Sequence, residues 1–175
     1  MESGYYFGFP HRSGEYPNSK EESAIVLERM ENPDMEFFTL ADESPRKPFI
    51  EYLISQGYDS HEYELTQIIR KSYPIVMEHK GYYNRPRPYQ VNSAIQPAES
   101  KTAATPAYPA GHTFQSYLIA YHLSNKYPKH RAEFFRIAKR IADARVSVGL
   151  HYPSDNEGGI ALAEKYKDKL SAMCK

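Results

Sequence analysis

The 175-residue sequence balances 22 lysines and arginines against 22 aspartates and glutamates, with 41% apolar and 25% charged residues. That composition excludes a disordered or collagen-like chain, and a chain of this length buries roughly 70% of its unfolded surface when it folds around one core. No run reaches the roughly 18 consecutive apolar residues of a spanning helix, which excludes a transmembrane segment of that kind.

The opening MESGYYFGFPHR has no basic stretch leading into an apolar run, so no secretory signal is read there. The single cysteine, Cys174, forms no internal disulfide and fits a reducing compartment. The expectation is one soluble, cytoplasmic domain over 1–175, with an irregular arm at 1–18 and a core at about 61–173.

The neutral total hides a split. Residues 1–69 carry 14 acidic and 5 basic side chains, a balance of −9, and residues 70–175 carry 8 acidic and 17 basic, a balance of +9. Either the second part handles an anion, or two oppositely charged parts pack against each other. The basic residues are scattered rather than clustered, so nucleic acid is not the expected partner.

In chain order, Ser19 with Glu22 three positions on reads as a capping box, and Ala24, Ile25, Val26 and Leu27 as the apolar start of a helix. Pro45 and Pro48 lead into a short helix through Phe49, Tyr52 and Leu53 that stops at Gly57. From His61 to Lys80, Leu65, Ile68, Ile69, Tyr73 and Val76 keep helical spacing, and Pro74 is expected to kink that helix. Residues 81–111, with five prolines, read as a long functional loop. Helices follow through Phe114–Tyr121, through Phe134–Val148, and from Pro153 or Asp155 to Leu170. No period-2 run with a hairpin turn occurs, so the expected class is all-α, a compact helical bundle.

Three places break this pattern. Arg145 follows Ile141 by four and Ala138 by seven, which puts a guanidinium on an apolar helix face, where it needs a partner such as Asp143 or Asp155. Lys80 extends the apolar stripe of Tyr73 and Val76 in the same way; a C-terminal lysine favoured by the helix dipole is the plainer reading. The window 102–125 has no charged residue, and Pro109-Ala110-Gly111-His112 stands at its middle, just before a helix. Small residues at a helix start leave backbone N–H groups open to an anion, although an isolated turn of this kind is commonly only a turn. Farther on, His151 and Asp155 are four apart, and on a helix they would share a face. A carboxylate on one imidazole nitrogen sets the tautomer and frees the other nitrogen to attack. Cations, a helix start and two histidines are what phosphoryl transfer requires.

The order and spacing Lys80-x6-Arg87-Pro88, Pro109-Ala110-Gly111-His112 and Ala144-Arg145-x5-His151-x3-Asp155 resemble the three motifs K-x6-RP, PSGH and SR-x5-H-x3-D of the type 2 phosphatidic acid phosphatase superfamily. That superfamily includes class A acid phosphatases and vanadium haloperoxidases. The resemblance implies an α-helical bundle and a metal-independent phosphatase acting on phosphomonoesters, lipid phosphates or phosphoanhydrides. By the same resemblance His151 is the nucleophile that forms a phosphohistidine, and Asp155 orients it. His112 is the general acid and base. Lys80, Arg87, Gly111 and Arg145 hold the phosphoryl oxygens. No cofactor is expected, and vanadate is expected to bind as a phosphate mimic. Arg85, two before Arg87, is set aside on spacing. The expected partner is a small phosphorylated substrate; the oligomeric state, a homo-oligomer included, stays open.

Two departures stand out: Ala110 and Ala144 replace the family serines. Ala110 has no hydroxyl to give to a phosphate, and loss of one oxyanion donor costs roughly 10²–10³ in rate. Three alternatives therefore stand beside the phosphatase: a vanadate-dependent haloperoxidase, a phosphate-binding relic without turnover, and a metallohydrolase using His112, His151 and Asp155.

Overall fold

A computed structural model describes residues 4–6 and 9–174, and the described residues form an all-helical fold. The helices are α1 (Ser19–Arg29), α2 (Met35–Ala41), α3 (Arg46–Ser55), α4 (Glu62–Tyr83), α5 (Pro88–Val91), α6 (Gly111–Lys126), α7 (Arg131–Ser147) and α8 (Pro153–Ala172), with a 3-10 turn at Pro128–His130. Of the arm expected at 1–18, residues 1–3, 7 and 8 lie outside the described residues; the rest carries no helix.

Helix α6 is the centre of the bundle, packed on α4, α7 and α8. That position explains the charge-free window: Phe114, Leu118, Ile119, Ala120 and Leu123 are all buried, and so are Thr113, Gln115, Ser116 and Ser124 between them. A helix covered except along the half-buried Tyr117–Tyr121 strip and at its last residues has almost no wet face on which to carry charge. Around it the main core gathers Phe49 and Leu53 of α3, Leu65, Ile68 and Val76 of α4, Phe134 and Ile141 of α7, and Leu162 and Leu170 of α8. A smaller apolar cluster, Val26, Ile95, Ala107, Val146 and Tyr152, lies beneath α1; another, Phe38, Ala144, Val148 and Leu150, lies beneath α2.

Several local expectations are corrected. The cap of α1 is Asn18, whose Oδ1 accepts from the Glu21 N–H at 3.0 Å, not a Ser19–Glu22 box. Of the apolar run Ala24–Leu27 only Val26 is buried; Ile25 and Leu27 face out, and the inward face of α1 is Ser19, Glu22, Ser23 and Val26. Helix α4, with Pro74 inside it, ends at Tyr83 rather than Lys80. Pro74 and Arg70 both lie on its exposed side, so the Arg70 carbonyl that loses its helical partner faces water. The region 81–111 is not loop throughout: it contains the end of α4 and all of α5. Helix α2 had no sequence signal beyond a few scattered apolar residues.

Opposite charges do pack across the two parts of the chain. Glu22 pairs with Arg85, Asp34 with Arg140, Asp42 with Arg145, and Glu64 with Lys126. Among the described residues no helix is long and apolar enough to cross a membrane.

Candidate active site

The end of α4, the start of α6, the end of α7 and the start of α8 meet at one end of the bundle. This brings together Lys80, Gly111, His112, Arg145, His151 and Asp155, with Arg87 just past α4. One glycine governs the approach of α8 to α6. A Cβ on Gly159 of α8 would lie 2.8 Å from the Ala110 carbonyl and 3.1 Å from the Phe114 nitrogen, so only glycine lets α8 close onto the start of α6. A Cβ on Gly111 would lie 3.6 Å from Lys80 Cε, so the lysine stem runs directly beneath that turn.

His151 sits between α7 and α8, outside both helices, so it shares no helical face with Asp155. The contact forms another way: Asp155, in the first turn of α8, turns back toward the residues that precede the helix. Its Oδ2 accepts from the Tyr152 N–H at 2.9 Å and lies 2.9 Å from His151 Nδ1. Its Oδ1 accepts from Arg85 Nη1 at 2.8 Å. With donors on both oxygens, the group is read as a carboxylate and His151 Nδ1 as the bearer of the imidazole proton. The other nitrogen, Nε2, lies 3.0 Å from Arg87 Nη1 and accepts from it.

Arg87 is held by backbone rather than by a carboxylate. It donates to Leu150 O at 2.8 Å, Thr105 O at 2.8 Å and Thr105 Oγ1 at 3.1 Å. Lys80 Nζ donates to Pro106 O at 2.7 Å. Among the described residues neither cation has a carboxylate within ion-pair distance. Burial, then repulsion from Arg87, presses the Lys80 ammonium well below its ordinary value. Burial, then repulsion from Arg145, brings Arg87 down to about 10. Arg145 pairs with Asp42 through Nη1 at 3.0 Å, not with Asp143 or Asp155; Asp143 is engaged by Lys139 on the surface.

Both histidines are pushed toward neutrality. Burial dominates for His151, followed by the charges of Arg87, Lys80, Arg145 and His112, and its proton affinity falls well below the ordinary value. The short His151–Asp155 contact is therefore a neutral imidazole donating to a carboxylate. For His112, burial and then Arg145 lower the pKa to about 3. His112 Nε2 lies 3.0 Å from Ala41 O and 2.8 Å from Asp42 O; carbonyls only accept, so the proton is on Nε2.

Sequence reasoning missed three residues of this region. Arg85 was set aside on spacing, yet it is fully buried and all its donors are used. Nε donates to Ser19 Oγ, Nη1 to Ser154 Oγ and Asp155, and Nη2 to Pro17 O and Glu22. Its guanidinium also lies over the Tyr152 ring at 3.8 Å. Glu22, expected in a helix cap, accepts instead from Arg85 and from both the N–H and the hydroxyl of Ser154. Asp42 had no motif around it. The hydroxyls near the alanine departures are otherwise engaged: Ser147 donates to Ala144 O, and Ser154 joins the Glu22–Arg85 cluster. Ala110, buried, donates its N–H to Asp155 O at 3.0 Å, and Ala144 packs with Phe38 and Val148.

No group of three or more His, Cys, Asp or Glu side chains among the described residues is arranged to hold a metal ion. His112 and His151 are directed instead at carbonyls and at Asp155 and Arg87.

At the helix ends of this all-helical bundle two histidines converge with Arg145 and with two cations, Lys80 and Arg87, that have no carboxylate partner among the described residues. Residues 65–164 match the model of the PAP2 superfamily, and the chain belongs to that superfamily. Among curated proteins it is similar to a non-specific acid phosphatase of Salmonella typhi, 35% identical over 83 residues. It is also similar to the non-specific acid phosphatase of Salmonella typhimurium (strain LT2), 34% identical over 83 residues. Each match covers 46% of this chain and 33% of the relative, so it spans about a third of those proteins' length.

Proposed function

We propose that this chain is a phosphatase that hydrolyses phosphomonoesters through a phosphohistidine on His151. The observation that carries the reading is the pair of contacts on one ring: Nδ1 donates to Asp155, and the unprotonated Nε2 accepts from Arg87, a donor that passes to a phosphoryl oxygen when substrate binds and so frees Nε2 to attack. A phosphoryl group in line with Nε2 would have Arg87, Lys80, Arg145 and the Gly111 amide around its oxygens.

In the first step the Nε2–P bond forms as the bond from phosphorus to the ester oxygen breaks. The imidazole becomes cationic and Asp155 stabilises it. The leaving oxygen takes a proton from His112. In the second step water attacks phosphorus, His112 accepts a proton from it, the P–N bond breaks, and inorganic phosphate leaves with His151 neutral again. His112 is neutral near pH 7 in this structure, driven there by burial and then by Arg145, so the proton it donates is acquired with the substrate, whose phosphate anion favours the charged imidazole. This favours turnover on the acid side of neutrality.

The test is phosphoryl trapping. Mixtures of protein and labelled phosphomonoester, quenched in alkaline denaturant, should yield a base-stable phosphohistidine that is lost on acid treatment and absent in His151→Ala with helical content retained. Phosphate binding without turnover would instead make the chain a phosphate-binding relic, the reading favoured by Ala110. Halide oxidation with vanadate and peroxide would make it a haloperoxidase.

A further inference from the structure

Asp42 follows α2 and joins the candidate site from a part of the chain that none of the three motifs covers. Its carboxylate accepts from Arg145 Nη1 at 3.0 Å, Ser100 Oγ at 2.5 Å and the Lys101 N–H at 2.9 Å. Its carbonyl accepts from His112 Nε2 at 2.8 Å and Thr102 Oγ1 at 3.3 Å. One residue thus touches the cation of the third motif and the histidine of the second.

The way it holds Arg145 matters. A guanidinium offers parallel N–H pairs that match the oxygens of a phosphate. Asp42 occupies only Nη1. Nη2 reaches Thr102 Oγ1 at a long 3.5 Å, and Nε is buried with no hydrogen-bond partner among the described residues. A buried, unsatisfied N–H of a charged group is costly, and a ligand that accepts from it removes the cost. The Nε–Nη2 edge is the one Asp42 leaves available. On the histidine, the carbonyl takes the Nε2 proton and so leaves Nδ1 as the nitrogen that can face a leaving group.

We propose that Asp42 is a positioning residue for the phosphate site: its carboxylate turns Arg145 to present the Nε–Nη2 edge to the oxyanion while moderating its charge, and its carbonyl orients His112. The inference rests on the phosphatase reading above. It assigns Asp42 two opposed consequences. Orientation favours capture of the anion, and the nearby negative charge weakens the hold on product phosphate so that it can leave.

Asp42→Asn removes the charge while Oδ1 can still accept from Nη1; its Nδ2 then faces the Lys101 N–H, a local loss in the 100–102 segment for which Ser100→Ala is the control. Phosphate, titrated calorimetrically, is expected to bind that variant roughly tenfold more tightly, the effect of deleting one nearby unit charge in a partly screened site. With a phosphomonoester, kcat is expected to fall several-fold as product release slows, and inhibition by phosphate should strengthen in parallel. A purely structural role would not produce tighter binding with slower turnover. Ser100→Ala, which loosens the 100–102 segment without altering charge, should leave the phosphate Kd within about twofold.

A folded Asp42→Asn protein that binds phosphate no more tightly than wild type overturns the inference, as does an equal gain in Ser100→Ala. A structure of the wild-type protein with phosphate or vanadate tests it without any variant. Nε and Nη2 on the anion with Nη1 still on Asp42 supports it, and Nη1 transferred to the anion overturns it. Wild-type protein that binds no phosphate removes the phosphatase reading and this inference together. Wild-type turnover with an unaltered Asp42→Asn affinity removes the inference alone.

Discussion

His151 and Asp155 meet at 2.9 Å across a helix boundary, with the imidazole before the helix and the carboxylate in its first turn. The same Asp155 oxygen accepts from the Tyr152 N–H, so it also caps α8, and the helix start and the imidazole orientation depend on one group. Loss of the charge with the shape kept should therefore affect chemistry more than binding. Asp155→Asn is expected to lower kcat by roughly 10³–10⁴, the scale seen when a carboxylate that sets a catalytic imidazole becomes an amide. KM should change far less, since Lys80, Arg87 and Arg145 are untouched. A variant with wild-type kcat would remove Asp155 from the mechanism.

Arg85 and Glu22 support that pair from behind. Arg85 is buried with every donor engaged, and Glu22 receives it together with the start of α8. Breaking a buried ion pair on one side leaves a charge without compensation, at about 3–5 kcal/mol. Arg85→Met should destabilise the fold by about that much in urea unfolding; Glu22→Leu, which leaves Arg85 its Asp155 partner, should cost less, and the double variant should be less than additive. Additive losses would show that the two act separately.

These residues also show what the sequence could and could not reveal. Lys80 and Arg145 were visible because each violates helical amphipathicity, and both are buried. Helices α4, α6, α7 and α8 follow from periodicity, and they carry most of the candidate site. Asp42, Glu22 and Arg85 were not legible. Their environment is created by tertiary packing of α1 and α2 against the motif-bearing helices, and a carboxylate at a helix end reads as surface until its partner is known. The −9 and +9 split did register that partners were needed, without saying which. His151 and Asp155 were paired for the wrong local reason, a shared helical face, because a helix start and a helix interior place residues four apart within similar reach. His122, which belongs to no motif, is buried beside Glu64, with its Nε2 2.7 Å from the carboxylate.

Stability should fall as the solution is acidified, and the histidines set the window. His112 has a folded pKa of about 3 against an ordinary value of 6.5, and His151 is lowered as well. Below about pH 6.5 the unfolded chain takes up protons that the folded chain refuses, so each such histidine removes up to about 1.4 kcal/mol per pH unit until its folded pKa is reached. Urea unfolding at pH 7, 6 and 5 should show this slope. His112→Gln should flatten it by about one proton's worth. Saturating phosphate should also reduce it, by restoring proton affinity to the site. A stability that is flat from pH 7 to 5 would contradict the neutral, buried assignment.

Ala110 provides the sharpest test of how the site reached its present form. It is the N-cap of α6, fully buried, and makes no side-chain cap. A serine there could accept from an N–H of the first turn, worth about 1 kcal/mol of stability. Alternatively its hydroxyl could donate to a bound phosphoryl oxygen, the contribution the alanine lacks. The two roles are distinguishable. Capping raises the urea midpoint and leaves kinetics unchanged, whereas donation raises kcat/KM, by as much as roughly 10²–10³ if the hydroxyl behaves as a full oxyanion donor. Ala110→Ser is expected to raise kcat/KM by at least about tenfold, because Gly111 and Lys80 already lie at the same turn and the added donor would join them. If only the unfolding midpoint moves, the hydroxyl is serving the helix, and this chain's anion cradle works without it.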